Sequence, residues 1–368
     1  MSLKHLKQFV DETLVEKKRV PYVDFIVYRE HDECMRYGAG TLGKVSGKEK
    51  LFFYSATKPL TVTCAMRLIE EGKMALDDPV CRYLPGASRA YIVDKDGNKT
   101  VVGERMTVRH LFTMTAGFSY DRGDLYSRFK DTDAGTLEVI EALFDRPLLF
   151  TPGERFEYSL CHDVLAAVVE SVSGMRFGEY MKKIIFDPLG MTHSTFAFDA
   201  WRETEPRYQY TPDGEPRCVG NGTQDFVLSK QYESGGAGVI CTVEDYIRFG
   251  DALCCDGTAK DGYRLLKKES VELLRTEQIT RFTVDKAFSC AQGDDYGYGL
   301  GVRTRLRPTP WGLGVGEFGW DGAVGTYLMM DPARHITVVA GMNIGGWSTV
   351  LRGAHLEAVK QIYRDFAD

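Results

Sequence analysis

A hydroxyl and an amine stand three residues apart in Ser55-Ala56-Thr57-Lys58. Leu51, Phe52 and Phe53 ahead of them are apolar and β-prone, and Thr61 to Glu71 carries Val62, Ala65, Met66 and Ile69 at the spacing of an amphipathic helix. The pair therefore falls in a first helical turn, where residues i and i+3 share a face and unpaired backbone N–H groups offer a positive dipole end to a developing anion. Pro59 suits that turn, because first-turn N–H groups have no partner inside the helix. A nucleophile and a group able to activate it are thus expected on one helical face. Spacing alone is weak evidence: Ser127-Arg128-Phe129-Lys130 repeats it in a charged, aperiodic stretch and reads as coincidence.

The elements that must position this pair are legible in outline. A first helix leads into strands expected at Tyr22 to Tyr28 and Cys34 to Ala39, joined as a hairpin by the polar turn Arg29 to Glu33. At the far end Tyr298 to Thr304, Gly312 to Phe318, Thr326 to Met330 and Ile336 to Met342 read as strands, and Val350 to Phe366 as a helix. Between them helices are expected at Val108 to Met114, Leu137 to Phe144, Asp163 to Val172 and Phe177 to Ile185. The fold class is therefore α+β: an antiparallel sheet built from both chain ends and flanked by helices, with a mostly helical insert. The expected division is residues 1–80 with 231–368 as a discontinuous sheet domain and 81–230 as the helical domain, with the active-site cleft between them. Thr242-Val243-Glu244-Asp245 reads as a capping box that opens a further helix.

Composition excludes several classes. The chain has 368 residues, 43% of them hydrophobic, enough for a substantial core. A net charge of -6 and a pI near 5.8, with no basic run interleaved with aromatics, argue against nucleic acid as a partner. The first residues lack the apolar core of a signal peptide, and no stretch is long enough to span a bilayer. Nine cysteines, odd in number and without a C-x-x-C pair, read as reduced core residues, Cys64, Cys161 and Cys254 among them. A cytoplasmic setting is the expectation.

Other motifs lose to plainer readings. Gly38 to Lys44 matches most of a phosphate-binding loop, but Val45 stands where a magnesium-binding hydroxyl is required and no helix follows, so a glycine-rich turn is expected. Gly312, Gly314 and Gly316 alternate at strand period and suit a bulge or a close backbone approach. Gly86 to Ala90 lacks the last glycine and the strand of a nucleophile elbow. None of the seven histidines pairs with another at the i+4 spacing of a helical metal site, and His110 and His162 read as structural. Tyr158 differs, because it follows Pro152-Gly153 and stands just before a helix, where a loop-borne phenol can point into a cleft.

Together these segments resemble the beta-lactamase-related serine hydrolases, the superfamily of penicillin-binding proteins and serine beta-lactamases, over nearly the whole chain. The resemblance rests on Ser55 to Leu60, Leu76 to Val80 with Tyr83-Leu84-Pro85, Thr107 to Leu111 with Thr115-Ala116-Gly117, Pro152 to Ser159, and Pro188-Leu189-Gly190-Met191, in this order. Two departures point to the carboxylesterase branch: the Tyr-x-Asn motif stands as Tyr158-Ser159-Leu160, and the later Lys-Thr-Gly as Trp320-Asp321-Gly322. The resemblance implies Ser55 as nucleophile, Lys58 and Tyr158 as its acid–base partners, and the backbone N–H groups of Ser55 and Ala323 as an oxyanion hole. Trp320, Asp321, Gly322 and Leu160 are implied in substrate binding, with Trp320 as an apolar wall.

Lys58 and Tyr158 both have reference pKa values near ~10, and which of them takes the serine proton stays open at this stage. The chemistry requires neither metal nor cofactor, and none is expected. The leading expectation is a serine hydrolase cleaving small or medium acyl esters through an acyl-enzyme on Ser55. An amide or peptide hydrolase with the same site, such as a D-amino-acid peptidase or weak beta-lactamase, is second, and a non-catalytic acyl-binding or sensor protein third. The substrate depends on loops around Tyr120 to Thr132, Trp201 to Val227 and Phe282 to Asp295, and these and the oligomeric state are not legible in the sequence.

Overall fold

The computed structural model describes residues 3–41, 45–196, 198–221, 226–280 and 295–368. Leu42 to Lys44 of the glycine-rich motif, residues 222–225 of the second pocket loop and Phe282 to Asp294 of the third lie outside the described residues. Seven antiparallel strands form one sheet: β1 (Val23–Arg29), β2 (Asp32–Ala39), β3 (Tyr296–Tyr298), β4 (Arg303–Arg305), β5 (Phe318–Asp321), β6 (Tyr327–Asp331) and β7 (Ile336–Gly341). Their spatial order is β3-β4-β5-β6-β7-β1-β2, so strands from the two chain ends meet where β7 pairs with β1. The helices that matter below are α1 (Lys4–Phe9), α2 (Thr57–Glu70), α3 (Cys161–Ser173), α4 (Val243–Cys254) and α5 (Ala354–Ala367). The fold is α+β, of the beta-lactamase and transpeptidase type.

Both faces of the sheet are covered, which is why its central strands are mostly apolar, with Asp24 and Thr337 the buried polar exceptions on β1 and β7. Phe25, Val27, Met329 and Val338 face a core shared with Leu6, Val10, Val359 and Ile362 of the terminal segments. Ile26, Leu328, Met330 and Val339 belong to a second, larger core with α2, α3 and α4. The chain ends are joined by charge as well: Asp365 on α5 accepts the first-turn N–H groups of His5 and Leu6 at 2.8 and 2.9 Å, satisfying α1 where its dipole is positive.

Two expected strands are corrected. Tyr298 to Thr304 is not one strand but the turn of the β3–β4 hairpin, because Gly301 at φ +87° reverses the chain. Gly312 to Phe318 enters the sheet only at Phe318, since Gly312 and Gly316 adopt φ values of +111° and +83° that no strand uses. Gly316 does admit a close approach: its carbonyl accepts from the Arg275 guanidinium at 3.2 Å. Of the expected capping box, Thr242 accepts from the Asp245 N–H at 3.1 Å, while the Asp245 carboxylate turns to His193 and Ser194. The final helix starts later than expected, after Gly353 at φ +79°. The hairpin of Pro206–Tyr210 and Pro216–Asn221 pairs in parallel with Ile344–Gly345 just beyond β7.

Candidate active site

Ser55 follows a short strand, Leu51–Phe52, that pairs with Ile240–Cys241. The chain then turns sharply: Tyr54 has φ +48°, a conformation that costs a non-glycine residue about 1–3 kcal/mol and persists only where neighbours enforce it. Here they do. Tyr54 is packed edge-on against Phe52 and Phe226 at 4.9 and 5.9 Å and accepts a hydrogen bond from Arg207 at 3.0 Å. Ser55 sits in the 3-10 turn Tyr54–Ala56 and Lys58 in the first turn of α2, so the two side chains meet at 3.2 Å.

Lys58 is fully buried, and its three ammonium protons have three acceptors: Ser55 Oγ at 3.2 Å, Tyr120 Oη at 3.1 Å and the Gly236 carbonyl at 2.7 Å. The Tyr158 ring adds its face at 4.7 Å from Nζ. The Gly236 loop is latched to α2 by Thr61, which donates to the Gly235 carbonyl at 2.6 Å, and by Val239, whose N–H reaches Thr57 at 3.0 Å. Asp163 on α3 holds the loop from below, accepting from Tyr232 at 2.7 Å and Ser234 at 2.5 Å. Position 236 must be glycine, since a Cβ there would lie 2.5 Å from an Asp163 oxygen.

Tyr158 is drawn into a chain of aromatic groups. It accepts from Trp320 Nε1 at 3.2 Å, and its ring lies 5.7 Å from Trp320 and 5.5 Å from Tyr120. Burial first, and then the neighbouring Tyr158 and Asp163, push the Tyr120 phenol far up, so it keeps its proton and hydrogen-bonds to Tyr158. Burial and then the charge of Lys58 push His162 down to about 3, which leaves a neutral imidazole against the Phe112 carbonyl at 3.3 Å.

The Trp320 strand ends in a tight turn beside the nucleophile. The Gly322 N–H donates to the Thr326 carbonyl at 2.7 Å, and Thr326 Oγ1 donates to the Phe53 carbonyl at 3.1 Å, tying the turn to the Ser55 segment. A Cβ at 322 would stand 1.8 Å from that hydroxyl oxygen, so glycine is required. Among the described residues neither the Ser55 nor the Ala323 N–H has an acceptor.

The structure thus brings Ser55, Lys58, Tyr158 and Trp320 together, with Gly322 and Ala323 in the adjoining turn. Asp321 is committed elsewhere: its carboxylate meets Arg303 at 2.8 Å. Leu160 is buried in the larger core as the residue that begins α3, so it packs and offers no exposed wall to a substrate. Sequence reasoning missed Tyr120, Gly236 and Asp163 as partners of the site. Only Tyr120 carried a signal, an aromatic residue three positions after Thr115-Ala116-Gly117.

The chain matches the Beta-lactamase family over residues 6–360. It is 30% identical over 341 residues to Protein Rv1367c of Mycobacterium tuberculosis, covering 88% of this chain and 82% of that one. With Esterase EstB of Burkholderia gladioli it shares 29% identity, covering 89% of this chain and 87% of the relative. Among solved structures, EstCE1, a hydrolase with promiscuous acyltransferase activity, superposes with a TM-score of 0.78 at 23% identity, over 98% of this chain and 97% of that one.

Proposed function

Because the chain belongs to the beta-lactamase family, we propose that it is a serine carboxylesterase that cleaves small or medium acyl esters through an acyl-enzyme on Ser55. The observation that carries this reading is the three-way coordination of buried Lys58 by Ser55, Tyr120 and Gly236. A lysine so placed has no packing reason to be there, and it lies within proton-transfer reach of a hydroxyl held on a strained turn.

In the proposed reaction Ser55 Oγ attacks the ester carbonyl while its proton passes to the Lys58–Tyr158 pair. The carbonyl oxygen becomes an oxyanion held by the N–H groups of Ser55 and Ala323, each such donor contributing roughly 3–4 kcal/mol to the transition state. The alcohol leaves with the proton the pair has stored, and water then repeats the sequence on the acyl-enzyme. Tyr120 is hydrogen-bonded to both Lys58 and Tyr158 and joins them in one network. Trp320 fixes the Tyr158 oxygen through Nε1 and gives the acyl or alcohol group an apolar wall.

Ester preference over amide follows from two features. An alkoxide leaves with less help than an amine, and Trp320-Asp321-Gly322 offers no cation to a beta-lactam carboxylate because Asp321 is an acid already paired with Arg303. The name of one relative, Esterase EstB of Burkholderia gladioli, agrees with this choice. Short-chain p-nitrophenyl esters and a chromogenic cephalosporin, compared in the wild type and Ser55→Ala, test the reading. Ester turnover should vanish in Ser55→Ala with little cephalosporin cleavage in either protein. Equal ester turnover in both would remove Ser55 from the mechanism, and dominant cephalosporin cleavage would move the function to the amide branch.

A further inference from the structure

The turn between β1 and β2 places two successive residues in the left-handed region, Glu30 at φ +53° and His31 at φ +73°. This swings the His31 ring over the end of α4, where its Nδ1 lies 2.7 Å from Asp251 Oδ2. Cys255, one turn beyond Asp251, brings its Sγ to 3.8 Å from the other carboxylate oxygen. Asp251 and Cys255 are buried, the Asp251 side chain at 5% exposure, while the His31 side chain at 27% reaches solvent. One ligand atom from each residue lies within 4.8 Å of the others.

We propose that His31, Asp251 and Cys255 form a three-ligand site for one divalent transition-metal ion of the zinc class, with solvent as fourth ligand. The donor set decides the class. Imidazole, carboxylate and thiolate together suit zinc or cobalt, whereas magnesium and calcium require oxygen alone. Tetrahedral bonds of ~2.0–2.3 Å place neighbouring donor atoms roughly 3.3–3.6 Å apart. His31 Nδ1 and Asp251 Oδ2 at 2.7 Å stand closer than that, and the three donor atoms lie within 4.8 Å, so an ion would part the imidazole and carboxylate slightly and draw the sulfur in. On ligation the Cys255 thiol gives its proton to solvent and the sulfur binds as thiolate.

The surroundings favour a cation. His31 and Asp251 line an open cleft of about 390 Å³ that also carries Asp32, Glu33 and Asp261, with Cys255 buried behind them. Its two cations are occupied: Lys260 pairs with Asp32 at 2.5 Å, and Arg248 donates to the Gly190 carbonyl. No metal is expected from the sequence, where no two histidines stand at a helical i, i+4 spacing, whereas this trio joins a hairpin turn to a helix end. It shares no residue with the Ser55 site, so its fate is independent of the esterase reading. An ion there would clamp the β1–β2 hairpin to α4.

The test is titration of the chelator-treated full chain with Co²⁺ and Zn²⁺. One Co²⁺ per chain should bind with a thiolate-to-cobalt charge-transfer band that Zn²⁺ displaces. Cys255→Ser should abolish the band and weaken Zn²⁺ binding by at least ~10-fold, the low end of losses seen even for outer partners of a metal. His31→Asn, in a turn where asparagine tolerates positive φ, should weaken Zn²⁺ comparably and remove the rise in melting temperature that Zn²⁺ gives the wild type. That variant decides the matter if Cys255→Ser fails to fold, and an unchanged circular-dichroism spectrum of the metal-free variant certifies either fold. No band in the wild type, a band that survives Cys255→Ser, or Zn²⁺ binding indifferent to His31→Asn would overturn the site.

Discussion

Among the buried cations of the described residues, Arg303 and Lys58 are treated in opposite ways. Arg303 on β4, 2% exposed, is neutralised: its guanidinium meets Asp321 at 2.8 Å, Glu317 at 3.3 Å and the Leu328 carbonyl at 2.8 Å. Burial opposes its charge, but Asp321 and the other neighbours outweigh burial and hold it ionised. Lys58, fully buried, has among the described residues no carboxylate partner, only a hydroxyl, a phenol, a carbonyl and an aromatic face. Dipoles solvate a charge without cancelling it. A cation locked to carboxylates can only hold the strand beneath Trp320, whereas one held by dipoles can exchange a proton with the serine beside it.

The sharpest way to break this comparison is to remove each cation in turn. Lys58→Met is expected to lower kcat for an ester by roughly 10²–10⁴-fold, the range for losing an acid–base partner, with stability nearly unchanged. Relief of a desolvated charge offsets the carbonyl left unpaired at Gly236, a loss of about 1–3 kcal/mol. Arg303→Met should do the reverse in its first effect, costing roughly 3–5 kcal/mol of stability because Glu317 and Asp321 lose the guanidinium that meets both. Urea unfolding and steady-state kinetics on both variants decide. If Arg303→Met unfolds no earlier than Lys58→Met, the distinction between a structural and a chemical cation is wrong.

The sequence made these two cations unequally visible. Lys58 was legible because helical geometry is local: i and i+3 share a face wherever the helix is. The sheet was legible for a similar reason, since burial on both faces writes mostly apolar runs at residues 23–28 and 336–340. Arg303 read as an ordinary strand residue, because its partners lie 14, 18 and 25 residues away across two strands. Gly236 contributes a backbone carbonyl, which no residue type encodes. Tyr158 stood out by its place just before a helix, but its role, like that of Ala323, came through resemblance, and Leu160 was misplaced by it: a motif fixes order along the chain, not which side chains end in the core.

Two histidines report on the two cations and sharpen the contrast. Burial and then Lys58 lower His162 to about 3, and burial and then Arg303 lower His355 to about 3. Both are neutral when folded and protonate near pH 6.5 when unfolded, so the unfolded state binds more protons between about pH 6.5 and 3. Stability contributed by each is complete above pH 6.5 and falls by about 1.4 kcal/mol per pH unit as the pH drops through that window. In Lys58→Met the His162 value should rise while His355 stays fixed, read by NMR titration of the imidazole signals. Equal movement of both, or of neither, would mean that the cations are not sensed locally.

The smallest expected effect tests whether dipoles around Lys58 matter individually. Tyr120→Phe removes the hydroxyl that accepts a hydrogen bond from Lys58 at 3.1 Å and hydrogen-bonds to Tyr158, while keeping the ring that lies tilted 5.5 Å from Tyr158. A hydrogen bond to a charged group contributes about 1.5–3 kcal/mol, and part of that should be recovered because Lys58 keeps its contacts with Ser55 and Gly236. A fall in kcat of roughly tenfold, with KM little changed, is therefore expected, because the phenol steadies the Lys58–Tyr158 pair and touches no bound ester. A rise in KM at constant kcat would make Tyr120 a substrate contact. A loss as large as that of Lys58→Met would make it a third member of the proton-transfer unit, and the charge at Lys58 would then depend on one dipole more than on the set.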